Sequence, residues 1–226
     1  LALQKHGKLK LADLLRPAAD LAEKGFPIDE VYERKLKGTA DRIKKFAESA
    51  ATLLRPDGTP LKKGDMLVQK NLAATYRAVA DNGIAWFYRG PFAEKTAAWM
   101  KDNGGIMTTE DFANYKTVER EPIRTKYRGY DLISMPPPSS GGVHVAQILN
   151  ILEHFPIRHF RDSSRVHVMT EAMKLAFADR AYWLGDPDFA NVPRGLVDPA
   201  YAADLAKKID LDHTTSVPNH NNPPNW

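Results

Sequence analysis

The stretch "SMPPPSSGG", Ser134 to Gly142, constrains this fold more than any other feature of the 226-residue chain. Pro136, Pro137 and Pro138 each fix φ and offer no backbone donor, so a strand arriving there cannot continue as a paired interior strand. Ser139 and Ser140 are good N-cap residues, and Gly141 and Gly142 let the backbone turn or pass close to a neighbour. Val145, Ile148, Leu149 and Leu152 then recur at helical spacing. Upstream, "REPIRTKYRGYDLISM" (Arg120 to Met135) holds two short β-branched and aromatic runs about Arg128-Gly129, the pattern of an antiparallel hairpin. The motif thus reads as a stiff exit from a sheet into a buried helix.

Elsewhere the periodicity is mostly helical. Leu11 to Lys24 has one apolar face and ends at Gly25, a C-cap; Pro17 is expected to start or kink this helix rather than occupy its centre. Val31 to Ala51 reads as one or two helices, and Asn71 to Ala80 as another, stopped by Asp81 to Gly83. Pro91 opens a helix at a tolerated first-turn position. Thr108 with Asp111 is a carboxylate version of the capping box. Ser163 or Ser164 begins a long helix running to about Trp183, whose expected core face is Val166, Met169, Ala172, Met173, Ala176, Phe177 and Ala181. Pro199 to Lys208 is a short helix. The residues therefore describe a helix-rich α+β protein. One domain is expected over residues 1–212, followed by a tail, 213–226, whose Asn, Pro and Thr content predicts disorder.

Several chemistries fall away early. The net charge of +4 comes from lysine pairs broken up by acids, which is a solvated surface and not a nucleic-acid footprint. With no cysteine there is no disulfide, thiolate metal site or cysteine nucleophile. No apolar run approaches the roughly 20 residues that span a bilayer. The chain opens at Leu1, in what reads as the middle of a domain, so a targeting segment upstream is compatible with it.

Each candidate site competes with a plainer reading. Amides at the Ser139–Gly142 helix start can bind an anion, yet every helix start has spare amides. Ser139-Ser140 does not form a Gly-x-Ser-x-Gly elbow. "RPDGTPLKKGD" (Arg55 to Asp65) is turn chemistry without the spacing of a phosphate loop. His167 reads as a structural histidine, and Asp186 and Asp188 lack a third ligand for a cation. His213 and His220 are not expected to form a metal site, and no cofactor is expected.

Several stretches together carry a resemblance. They are "PLKKGDMLVQKNLAATYRAVADNG" (60–83), "FYRGPFAE" (87–94), "NGGIMTTEDFANYK" (103–116), "YRGYDLISMPPPSSGGVHVAQILNILE" (127–153) and "EAMKLAFADRAYWLGDPDF" (171–189). In order and spacing they resemble the gamma-glutamyltranspeptidase family, in the later part of its large subunit. The resemblance implies an incomplete portion of a four-layer αββα N-terminal-nucleophile hydrolase sandwich. It implies a precursor that cuts itself into large and small subunits, and transfer of the γ-glutamyl group of glutathione to water, amino acids or peptides. The small subunit is the implied partner, and the periplasm or the exterior the implied compartment. The family's nucleophilic threonine begins a Thr-Thr-His motif. Thr214-Thr215 does not match it, being preceded by His213 and followed by Ser216, so no catalytic residue is assigned. The substrate-gripping arginine is expected to precede Leu1, and the chain alone is expected to be inactive; the alternative is a truncated non-enzymatic fragment acting at most as a binding or structural piece.

Overall fold

The computed structural model describes residues 1–224 and divides the chain into two compact units, Leu1–Thr117 and Val118–Trp226. The first unit is built from helices α1 (Ala2–His6), α2 (Leu11–Lys24), α3 (Glu30–Ile43), α4 (Ala47–Leu53), α5 (Lys70–Asn82), α6 (Ala85–Tyr88), α7 (Pro91–Asp102) and α8 (Thr109–Asn114). Two short strands, β1 (Phe26–Pro27) and β2 (Met66–Leu67), pair antiparallel.

Helix α2 packs along α5 through fully buried Ala19 and Ala73, small side chains that let the backbones approach. Arg77 of α5 reaches back to Asp20 at 3.0 Å and Glu23 at 2.7 Å. This packing is why Pro17 lies inside α2, against expectation: the tertiary contact outweighs one missing helical hydrogen bond. Ile28, Leu36, Leu61 and Leu67 form the small core beside it. The Arg55–Asp65 turn is pinned by a two-pronged ion pair, 2.8 Å from Nε and 2.9 Å from an Nη. Thr108 caps α8 in a reciprocal box with Asp111, as its spacing predicts.

The second unit opens with the expected hairpin, β3 (Ile123–Tyr127) and β4 (Tyr130–Ser134), in a register that pairs Tyr127 with Tyr130. Arg128 (φ 52°) and Gly129 (φ 85°) are both left-handed, as a two-residue hairpin loop requires. A non-glycine residue is held there by its own side chain, which donates to the carbonyl of Phe155 at 2.7 Å. Helices α9 (Ser140–Leu152), α10 (Asp162–Trp183) and α11 (Pro199–Ala206) complete the unit around Ile151, Leu152, Val168, Ala172, Leu175, Tyr201, Ala202 and Leu205.

Both long helices bury only part of the face their apolar residues suggest: Leu152 of α9 and Ala172 and Ala176 of α10 are buried as expected, and other members are not. In α9, Val145 is 48% exposed, while Val143, Ala146, Gln147, Asn150 and Ile151 are buried. In α10, Val166, Met169, Met173 and Phe177 are exposed, and the inward stripe is Val168, Glu171, Ala172, Leu175, Ala176 and Asp179. Residues 213–224 lie against α10, with Val217 packed on the core; the remainder of the expected 213–226 tail, residues 225 and 226, lies outside the described residues. Among the described residues, no helix is long and apolar enough to cross a membrane.

Candidate functional site

The triple-proline turn sits where chain direction changes from β4 to α9. The carbonyl of Met135 passes so close to Gly142 that an added Cβ would lie 2.1 Å from its oxygen, so this glycine is required by close approach. Ser139 caps α9 without a side-chain hydrogen bond. The Oγ of Ser140 accepts from Arg180 Nε at 3.3 Å, and its carbonyl accepts from Nδ1 of His144. His144 is thereby fixed with its proton on Nδ1, and its buried Nε2 has no hydrogen-bond partner. Burial pushes the His144 pKa below the ordinary histidine value, against the hydrogen bond to Ser140, and the nearby Arg180 charge adds to the lowering. The histidine therefore touches the backbone of Ser140 and not its hydroxyl. That arrangement does not activate a nucleophile.

On the other side of the turn is a cleft of about 480 Å³, lined by Arg120, Arg124, Pro136, Pro137, Val143 and Arg194 among others. Arg120 closes one end by pairing with Asp188 at 2.9 Å and Asp186 at 3.6 Å. The two carboxylates suggested as cation ligands thus face an internal guanidinium. His167 Nε2 meets the Asp210 carbonyl at 2.8 Å. His213 lies against Asp210, whereas His220 stacks on Tyr182, so the two tail histidines have different neighbours. No group of three potential metal ligands occurs among the described residues.

The densest chemistry was not singled out from the sequence. Asp179 is completely buried on α10 and accepts four hydrogen bonds: from Gln147 Nε2 (2.6 Å), the Tyr201 hydroxyl (2.7 Å), the Asn221 backbone (2.7 Å) and Asn221 Nδ2 (3.1 Å). Burial, with donation to Asp179 and its charge, pushes the Tyr201 pKa well above the ordinary tyrosine value, so Tyr201 stays protonated and donating. Two turns earlier, Glu171, also buried, takes Lys174 Nζ at 2.8 and 3.0 Å and the Thr215 amide at 3.1 Å. Burial raises the Glu171 pKa, but the Lys174 and Thr215 hydrogen bonds outweigh it and hold the net value below the ordinary carboxyl range. The available signal was polar residues within apolar helix, His144, Gln147 and Asn150 in "VHVAQILNIL" and Glu171 and Asp179 in α10.

Thr215 spends its hydroxyl on the Lys208 carbonyl, 3.2 Å away. The Ser140 hydroxyl is thus paired with Arg180 and the Thr215 hydroxyl with a backbone carbonyl. The features brought together are a proline-rich turn, a cleft and a buried hydrogen-bond network.

Comparison with known proteins places this arrangement. The family model described as gamma-glutamyltranspeptidase matches residues 1–225. The chain is 46% identical over 215 residues to a glutathione hydrolase proenzyme of Escherichia coli, covering 94% of this chain and 37% of that protein. It is 41% identical over 218 residues to the acylase ACY 1 proenzyme of Pseudomonas sp. (strain SE83), covering 95% and 39% respectively. The crystal structure of Helicobacter pylori gamma-glutamyltranspeptidase superposes with a TM-score of 0.89 at 40% identity, over 95% of this chain and 62% of that one. The chain belongs to the gamma-glutamyltranspeptidase family. It spans less than two fifths of the length of these two curated relatives.

Proposed function

We propose that this chain is the later part of the large subunit of a gamma-glutamyltranspeptidase. The enzyme cleaves the γ-glutamyl amide of glutathione and related compounds and passes the acyl group, through a threonine ester, to water, an amino acid or a peptide. The observation that carries the reading is the family match over residues 1–225, joined to relatives named as proenzymes. In this reading residues 1–212 belong to an αββα sandwich completed by other segments, the small subunit is the partner, and the enzyme works in the periplasm or outside the cell.

The division of labour has a physical logic. A threonine hydroxyl is a poor nucleophile at neutral pH, and self-cleavage gives it a free α-amine that serves as its base. Backbone and side-chain donors stabilise the oxyanion, and an arginine grips the substrate α-carboxylate through its planar fork. This chain supplies the support beneath those groups. The test is release of a chromogenic anilide from its γ-glutamyl conjugate. The full-length precursor should turn it over and the 226-residue chain should not. Turnover by this chain, abolished by Thr214→Ala or Thr215→Ala, would overturn the assignment.

A second reading keeps the scaffold but changes the acyl group, and the acylase relative favours it. A simple fatty-acyl anilide, offered in the same assay, separates the two. Preference for it over the γ-glutamyl conjugate selects the acylase reading.

A further inference from the structure

We infer that Glu171 and Asp179 are positioning residues for self-cleavage: they belt residues 213–221 to α10, so that the chain following them leaves this unit from a fixed point. The inference rests on the precursor reading above, in which the chain continues toward a cleavage junction.

The belt is unusual in what holds it. A terminal segment docked only for stability buries apolar side chains; over residues 213–221 this one contributes a single part-buried valine, Val217, to the core, with Pro223 buried just beyond. Polar contacts with strict geometry hold the rest. Each buried carboxylate is divided between scaffold and belt. Glu171 binds Lys174 on its own helix and the Thr215 amide of the belt, while Lys174 also donates to the Thr215 carbonyl. Asp179 takes two donors from the scaffold, Gln147 and Tyr201, and two from Asn221.

Asn221 is bound through every polar atom it has. Its amide and Nδ2 go to Asp179, its carbonyl accepts from Trp183 Nε1 at 2.9 Å, and its Oδ1 accepts from Lys208 Nζ at 2.7 Å. His220 lies flat on Tyr182, with ring centres 3.6 Å apart. Beyond it, the Pro224 carbonyl crosses Gly195 so closely that a Cβ there would stand 2.1 Å from the oxygen. Directional polar contacts of this kind, part-buried between Asn221, Asp179 and Trp183, can fix a register while adding little net stability.

Self-cleavage hydrolyses one peptide bond. Water adds across it, leaving a carboxylate on the upstream piece and a free α-amine on the downstream one. Attack on one particular carbonyl depends on its placement to within about an ångström, and a belt in fixed register contributes that placement.

The experiment uses the full-length precursor and follows two readouts: conversion to two subunits on a gel, and hydrogen exchange of the belt amides. Asn221→Ala and Glu171→Gln should each speed exchange over residues 213–221 and slow conversion about tenfold, the scale of one charge-assisted hydrogen bond. Leu36→Ala, a core truncation in the first unit and outside the belt and its network, should lower the melting temperature and leave conversion at the parental rate. A merely structural role would make conversion follow the melting temperature across all three variants, and that result overturns the inference. So does normal conversion in Asn221→Ala, whether or not belt exchange rises. Asn221 lies in the belt itself, so its variant decides the matter even if Glu171→Gln fails to fold. A parental precursor that never converts would instead refute the precursor reading.

Discussion

Two residues show how much a single backbone or buried atom decides in this protein. Gly142 has no room for a side chain, because the Met135 carbonyl occupies the space and a backbone oxygen cannot swing away. Gly142→Ala should therefore destabilise the second unit by about 1–3 kcal/mol, the usual range for overpacking, measured as a shift in urea midpoint. Gly141, where a Cβ would meet only the Ser139 Oγ at 3.9 Å, should tolerate alanine far better. Glu171 carries a pH dependence of definite sign. Its pKa is lower folded than unfolded, so its contribution is fully present above the unfolded value, about 4.3, and disappears as pH falls through the folded one. Comparing urea midpoints at pH 7 and pH 3, the parental chain should lose more stability on acidification than Glu171→Gln does. Equal losses would mean that the Lys174 and Thr215 hydrogen bonds do not favour the ionised form.

At the scale of the element, the sequence located helices well and oriented them only in part. Caps and breakers are local chemistry, so Gly25, Gly83, Pro91 and the Thr108–Asp111 box marked their boundaries directly. The Arg128-Gly129 hairpin was legible for the same reason. Which side of α10 faces inward was legible only in part, since Ala172 and Ala176 of the expected face are buried but the helix bears apolar residues on two faces. Val166, Met169, Met173 and Phe177 form one face and Val168, Ala172, Leu175 and Ala176 another. Hydrophobic periodicity does not choose between them. The choice is made by Glu171 and Asp179, whose partners Thr215, Tyr201 and Asn221 lie far along the chain and leave no local signal. Belt and network were missed together, since each is the other's hydrogen-bond complement. The consequence is testable on the isolated chain. Leu175→Ala should cost about 2–5 kcal/mol as a core truncation, whereas Met173→Lys, two residues away on the same helix, should stay within about 0.5 kcal/mol. Reversal of that order in thermal unfolding would restore the face expected from periodicity.

At the scale of the whole molecule, one family match runs through two separately cored units. Residues 1–117 fold around the Ile28–Leu36–Leu61–Leu67 cluster and the α2–α5 pair, and residues 118–224 around α9, α10 and α11. Composition gave no sign of this division, because the join at "YKTVE" has neither the glycine nor the serine of a flexible linker. What marks it physically is accessibility: residues 115–119 are exposed and belong to no helix or strand. A protease needs several residues of unprotected backbone, and exposed connections of this sort are cut before helices that must first unfold. Trypsin at low ratio should therefore cleave first after Lys116, giving two fragments that resist further digestion, identified by intact mass. The second fragment should keep residues 213–224 protected, since their amides and carbonyls are tied to α10 through Glu171, Asp179 and Trp183. First cuts within the helices of either unit would show that the two cores do not hold independently. Early loss of the last dozen residues from the second fragment would show that the belt is not part of its fold.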